Sequence, residues 1–395
     1  MPKLIKDPIH GYVVVEDGLL GVVDSYAFQR LRRIQQLPLS HLVYPGARHT
    51  RFDHSLGCMA LAEEFARHLR LDEEESRLLK AAALLHDVGH TPYSHLLEVT
   101  LLRRGITHEG MGCRIVRGDE ELRGALEGAG VDPRDVTDVL EGRHRLSSVV
   151  SGPLDVDRLD FLLRDAYFTG ATYGIVDVRR LIHLTRLRED GLHLEARAIG
   201  AMEELAIARH HSFLNVYFHH AVRAAQLTFL RGYEAVMRDG LDFASMDVPE
   251  YLSHDDYTVW TRLKFDPRSR WAIDALERRR LPKMVMEVQL GPGEAEGGEL
   301  SAEEVEVEVS EALGVERSHV YFDSSTLPPL RSYASPPITI DWPAGVPVRS
   351  SWIIEMTSRP LKIYRVYVTR GVVDHERARE VVREVFAGRG LLSRR

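Results

Sequence analysis

Cysteine is almost absent from this chain, with Cys58 and Cys113 the only two among 395 residues. Two thiols cannot form a disulfide framework or a thiolate metal centre, and both read as small buried residues. Long apolar runs are missing too. No stretch approaches the roughly 20 apolar residues that cross a bilayer, and MPKLIKDPIHG lacks the apolar core of a secretory signal. A cytoplasmic protein without membrane contact is the expectation. Positive charge is in deficit: 51 Lys and Arg against 59 Asp and Glu leave a net charge of −8. The basic footprint of a nucleic-acid binder is therefore lacking, and any anion must be drawn in locally by a metal or a few arginines. The remaining composition, 44% hydrophobic and 28% charged, is ordinary for a globular chain. A length of 395 residues suffices for one large domain and a smaller one.

The patterning predicts a mostly α fold with a smaller C-terminal α/β portion, divided as residues 1–240 and 241–395. A short β-like lead-in precedes an amphipathic helix about Tyr26–Gln36. From Thr50 to about Ala235 the pattern is helical. Thr50 with Asp53, and Asp72 with Glu75, have capping-box spacing. Gly89 and Pro92 should end the second of these helices, leaving His86 and Asp87 in its last turn. Residues 201–230 are apolar almost all round and predict a buried helix. Further on, VMEVQL, HVYFDSS, PITIDW and KIYRVYVT read as strands. In SAEEVEVEVSEAL, Val305, Val309 and Leu313 recur every fourth residue behind a Ser301/Glu304 cap, so helix is favoured over strand. GPGEAEGGE (291–299) reads as a flexible loop.

The chemistry concentrates in four side chains. His86 and Asp87 are adjacent in LLHDVGH, His54 lies in RFDHS and Asp157 in DVDRLD. Two imidazoles and two carboxylates form a mixed ligand set for one divalent ion such as Mn²⁺, Fe²⁺, Ni²⁺, Zn²⁺ or Mg²⁺, with positions left for water and a phosphate oxygen. Asp157, Phe161 and Asp165 share a helix face by spacing, with Arg164 beside them, and Leu159, Leu162, Leu163 and Ala166 oppose them. That places carboxylates and an arginine toward a cleft. Arg51, three residues before His54, could clamp a phosphate in bidentate fashion. His90, His95 and His108 (the last followed by Glu109) are candidate proton donors near neutral pH. Arg209, Phe213 and Tyr217 form a stripe that implies an anionic partner for a buried arginine. His210, His211, His219 and His220 have no carboxylates alongside and read as packing or hydrogen-bonding residues.

DPIHG (7–11), FQRLRRIQQL (28–37), YPGARHTRFDHSLG (44–57), LLHDVGHTPYSH (84–95), THEG (107–110) and DVDRLDFLLRD (155–165) together resemble the HD-domain metallophosphohydrolases. The likeness is to the branch containing the sterile-alpha-motif/HD-domain dNTP triphosphohydrolase and its prokaryotic relatives. It runs over about residues 3–235 and implies an HD-type helical bundle. It further implies metal ligation by His54, His86, Asp87 and Asp157, and triphosphate contact by Arg51. His90, His95 and His108, supported by Glu98 and Glu109, would position phosphate and supply the acid. Gln36 and Leu37 would face the sugar, and Asp165, Arg209 and Tyr217 would contact sugar and phosphates. The reaction implied is hydrolysis of a dNTP to deoxynucleoside and triphosphate. Phe161 stands where the family has a substrate-stacking tyrosine, and Arg158 replaces a lysine. Lys3, Asp24, Gln29 and Arg32 match positions that bind an activating guanine nucleotide in regulated members, which implies a homo-oligomer, dimer or tetramer. Two other readings are a different HD reaction on mono- or cyclic nucleotides, and a nucleotide-binding module without turnover.

Overall fold

The computed structural model describes residues 2–291, 300–327, 339–341 and 351–392, and its body is mainly helical. The lead-in is an antiparallel hairpin, Lys3–Asp7 with Gly11–Val15, that buries Val13 and Val15. The helix expected over Tyr26–Gln36 is shorter and preceded by another. Asp17–Asp24 forms one helix, Tyr26–Gln29 a second, and Arg30–Arg33 a 3-10 turn. Ser25 makes the division: its backbone is extended and its hydroxyl accepts the Phe28 N–H. At Ile34 the backbone is extended, and Gln35 pairs with Thr50 in an isolated antiparallel bridge.

Helices Arg51–Leu69 and Glu73–Leu85 pack along each other, and Val156–Thr169 packs on the first. Thr50 and Asp53 complete the expected reciprocal cap, whereas Asp72 accepts the Glu75 N–H without a return bond. The second helix stops at Leu85, so His86 caps it and Asp87 lies just beyond its last turn. Bonds from Val88 N to Leu85 O (3.1 Å) and from His90 N to Asp87 O (3.0 Å) wind this stretch tighter than an α-helix. A Cβ on Gly89 would stand 2.1 Å from His108 O and 2.2 Å from Gly112 N. Glycine there lets the helix His108–Gly118 lie directly against the His86–Asp87 turn.

Residues 201–230 are not one buried helix. Ile199–Ser212 and His220–Glu234 are separate helices joined through a π turn at Phe213–Tyr217. Glu204, Ile207 and His211 face solvent. The bend is filled by Phe213, whose ring lies 4.9 Å from Tyr217 and 5.6 Å from Phe218, so aromatics that look like a continuous apolar surface pack on one another instead.

The larger core continues past residue 240: Leu241, Phe243, Tyr251, Leu252, Val259, Leu263, Ile273 and Leu276 all join it. Residues 241–281, grouped with the C-terminal portion on sequence, thus pack with the helical body. A second core belongs to a three-stranded antiparallel sheet with Leu361–Val368 in the middle, flanked by Lys283–Leu290 and Val320–Leu327. Helices Ala302–Leu313 and His375–Gly388 cover it, with Val305, Val309 and Leu313 buried. Ser301 accepts the Glu304 N–H, which is half of the cap read there. Of the PITIDW strand, Thr339–Asp341 pairs in parallel with Gly191–Glu195, and the rest lies outside the described residues. Residues 292–299 of the expected loop also lie outside them. Among the described residues, no helix is long and apolar enough to cross a membrane.

Candidate active site

Four acceptors meet where the three central helices converge. His54 Nε2 lies 3.2 Å from His86 Nε2, 3.0 Å from Asp157 Oδ1 and 3.6 Å from Asp87 Oδ2. His86 Nε2 lies 3.3 Å from Asp87 Oδ1 and 3.9 Å from Asp157 Oδ1. The outer imidazole nitrogens are already committed: His54 Nδ1 sits 2.7 Å from Asp160 Oδ2, and His86 Nδ1 sits 2.8 Å from Ala83 O. With Nδ1 protonated toward those acceptors, both Nε2 lone pairs point at the same place as two carboxylates. Four acceptors without a donor between them fit a divalent cation.

Burial opposes charge on His54, yet Cys58, Asp157 and Asp160 hold its pKa well above the ordinary value. Burial likewise opposes the charge on Asp87, but Arg51, His86 and His90 keep it well below the usual carboxylate range. Asp157 is lowered against burial by His54 and His86. A cation bound there would compete with protonation of these side chains. Asp157 is the open member, its side chain 38% exposed where His54 is fully buried.

Asp160, which the sequence reading passed over, anchors the site from behind. Its two oxygens engage His54, His10 Nε2 (2.6 Å) and the wholly buried Arg164, and Arg164 Nη1 donates to Asp7 Oδ2 at 2.8 Å. Asp7 also accepts the Ile9 and His10 N–H groups, so the DPIHG turn is built into the support of His54. Gly57 allows it, because a Cβ there would meet Asp160 Oδ1 at 1.9 Å. Arg164, expected to face a cleft, is instead the counter-ion of this inner cluster. The i,i+4 spacing that looks like a surface pair is buried here, because three carboxylate and imidazole groups satisfy it.

Beside Asp87 stands a second group of imidazoles. His90 Nε2 lies 3.3 Å from Asp87 Oδ1, and its ring stacks on His108 with centroids 3.9 Å apart. His95 meets His90 edge-on at 4.8 Å. Glu98 ties the group together, its oxygens 2.7 Å from His95 Nδ1 and 2.6 Å from His108 Nδ1, while also accepting the His108 N–H. Burial opposes ionisation of Glu98, but His108 and His95 hold it far below the usual carboxylate range. His108 is raised despite burial, through Glu98, Glu109 and Asp87. His90 is lowered by burial and by the charges of Arg51 and His108.

A cavity of about 170 Å³ opens beside both groups, lined by His86, Asp87 and Asp157 together with His90, His95, His108 and Glu109. Gln36, Arg51 and Phe161 also face it. Arg51 is buried and already engaged, donating from Nη1 to Asp87 Oδ2 (2.6 Å) and from Nε to Ser94 Oγ (2.8 Å). Leu37 packs with Ala47 and Val216 in a separate small cluster and is not part of the cavity wall. Asp165 is buried between His49 Nε2 (2.7 Å) and the Tyr217 hydroxyl, which donates to it at 2.5 Å. Arg158 turns to Gly152 O and Asp155, and Arg209 lies over the Phe213 ring at 4.7 Å. Burial and the neighbouring Arg158 push the Arg209 pKa down to about 10. Lys3 pairs with Asp24 at 3.8 Å, Gln29 accepts from Arg32 Nε at 2.8 Å, and Arg32 covers Phe52. Gln29 also donates to Val23 O, so these four residues neighbour one another on the surface.

The HD domain matches residues 51–205, and the HD associated region matches residues 176–336. An uncharacterised protein of Methanocaldococcus jannaschii is 34% identical over 285 residues, 71% of this chain and 59% of that protein. The deoxynucleoside triphosphate triphosphohydrolase SAMHD1 homolog of Dictyostelium discoideum is 27% identical over 312 residues, 72% of this chain and 60% of its own length. The chain thus spans less than two thirds of either relative. A solved phosphohydrolase of Bacteroides thetaiotaomicron superposes with a TM-score of 0.75 at 28% identity, covering 94% of this chain and 100% of that one. His54, His86, Asp87 and Asp157 and most of the cavity lining lie inside the first matched segment: this chain carries an HD domain followed by an HD associated region.

Proposed function

We propose that this protein hydrolyses deoxynucleoside triphosphates to deoxynucleoside and inorganic triphosphate, using one divalent cation held by His54, His86, Asp87 and Asp157. The observation that supports this most is the convergence of four acceptor atoms beside a cavity that is also lined by His95 and His108, both bound to Glu98. When bound, the cation would act as a Lewis acid on a phosphoryl oxygen. Arg51 and Gln36 meet the phosphates and sugar, and Phe161 packs against the nucleoside. His108, its pKa raised, holds a proton beside the cavity. In the overall reaction, water supplies hydroxide to the α-phosphorus, the bond to the 5′ oxygen breaks, and that oxygen gains a proton. His108 Nε2 is suited to deliver it, because Nδ1 is fixed by Glu98. Lys3, Asp24, Gln29 and Arg32, adjacent on the surface, are the proposed site of an activating guanine nucleotide in a homo-oligomer.

Incubating the purified chain with each of four dNTPs and Mn²⁺, with and without GTP, tests this. Deoxynucleoside with tripolyphosphate is expected, with faster turnover when GTP is present. Orthophosphate as product, or turnover of mono- or cyclic nucleotides alone, assigns a different HD reaction. Rates indifferent to GTP remove the activator site.

A further inference from the structure

A segment beyond the matched HD domain closes on the back of the catalytic turn. The Tyr251 hydroxyl donates to Gly89 O at 2.6 Å. Arg30, wholly buried, donates to His90 O (3.0 Å) and to His254 O (2.7 Å), joining the turn to this segment with one side chain. Arg33 donates to Asp255 at 2.5 Å. Asp256 reaches furthest: one oxygen accepts the Tyr93 N–H at 2.6 Å, and the other accepts the Gln35 N–H at 2.9 Å. Its own backbone carbonyl accepts the Tyr93 hydroxyl at 3.2 Å.

One of the two amides that Asp256 holds, that of Tyr93, lies in a strained bend, and the other belongs to Gln35, whose carbonyl the bend contacts. Tyr93 and Ser94 have φ of +58° and +52°, and L residues keep such values only where their surroundings impose them. The bend delivers the Ser94 hydroxyl, which donates to Gln35 O (2.7 Å) and accepts from Arg51 Nε (2.8 Å). Arg51 then donates to Asp87 Oδ2 at 2.6 Å. An unbroken polar path therefore runs from Asp256, through two backbone amides and one hydroxyl, to the arginine on the cavity wall. Burial outweighs the amide donors and Arg30 and pushes the Asp256 pKa up to about 7.

We propose that Asp256 is a positioning residue of the active site: by fixing the Gln35 and Tyr93 amides, it sets the Ser94 hydroxyl and hence the direction of the Arg51 guanidinium. The inference rests on the phosphohydrolase reading of that cavity, and the test separates the two. Asp256→Asn is nearly isosteric, but only its carbonyl oxygen accepts, so one amide loses its acceptor. Ser94→Ala cuts the next link. Thr258→Ala breaks the capping box of the same helix, in which Asp255 and Thr258 bond reciprocally, without touching the bend. On the full-length chain, the readouts are hydrogen exchange over residues 88–96, Mn²⁺ bound per chain, and kcat and KM with the four dNTPs.

Asp256→Asn and Ser94→Ala should lower kcat about 10-fold to 100-fold, the usual effect of losing a supporting partner, with Mn²⁺ content kept. Exchange over residues 88–96 should quicken in Asp256→Asn and stay at the wild-type rate in Thr258→Ala. Unchanged exchange in Asp256→Asn overturns the proposal, and so does an equal kcat loss in Thr258→Ala. If Asp256→Asn does not fold, a Ser94→Ala kcat equal to wild type overturns it instead. If the wild type turns over none of the dNTPs, the substrate reading fails, and the exchange comparison alone decides the role of Asp256.

Discussion

On one side of Asp87, His54 and His86 commit Nδ1 to separate acceptors and turn both Nε2 atoms to a common point. On the other side, His95 and His108 commit Nδ1 to one shared carboxylate, Glu98. The first arrangement leaves acceptors facing acceptors, which a cation resolves. The second balances its charge within the protein and can carry a proton. Neighbouring histidines thus acquire different chemistry from what their second nitrogen touches.

The largest expected effect comes from removing the first arrangement. A His86→Ala/Asp87→Ala double variant should lose turnover to background and retain no stoichiometric Mn²⁺ by elemental analysis, while the fold persists by circular dichroism. Turnover near the wild-type rate would merge the two clusters into one kind and sink the cation reading. Next comes the support behind His54. Asp160→Asn keeps the shape but weakens the acceptor for Nδ1, and should reduce Mn²⁺ affinity about 10-fold to 100-fold in a titration. An unchanged affinity would mean that Asp160 serves only to neutralise Arg164.

A third measurement sharpens the proton-carrying side. Glu98 is held far below its ordinary pKa, so its contribution to stability is full above the unfolded value of about 4.3 and is lost as pH falls. His108 is raised, so its contribution is full below about 6.5 and is lost as pH rises through the folded value. The Tm difference between wild type and Glu98→Gln, measured in metal-free buffer, should therefore be largest between about pH 4.5 and 6.5. It should shrink on both sides. A difference independent of pH would remove the shared-charge account.

Much of this comparison was legible in the sequence, and the illegible part has a common physical cause. Capping at Thr50, the His86–Asp87 pair and the Val305–Val309–Leu313 stripe depend on neighbours within four residues, so spacing reveals them. Asp160 and Arg164 also sit at i,i+4, but their burial depends on Asp7 and His10 from the hairpin, about 150 residues away. The DPIHG motif, otherwise without a role, was the available signal. The helix expected to reach Gln36 ends early because the Gln35 N–H goes to Asp256, 221 residues on. The break at Phe213–Tyr217 contains neither Gly nor Pro, and nothing local announces it.

The smallest expected effect concerns Phe161, which faces the cavity from the ligand helix with its ring 6.4 Å from Tyr217. Its half-buried position leaves room for a hydroxyl to meet a nucleotide without disturbing Asp157, one turn earlier. Phe161→Tyr adds one neutral hydrogen bond, worth about 0.5–1.5 kcal/mol, so KM should fall by up to about tenfold. The bond would form equally in the ground and transition states, so kcat should hold. Assaying all four dNTPs separates two roles for the ring. A KM drop shared by all places the hydroxyl near the sugar or phosphates, while a drop for one base makes position 161 a specificity determinant. If every KM stays at its wild-type value, Phe161 only packs the wall, and the division of the cavity into a cation side and a proton side stands without it.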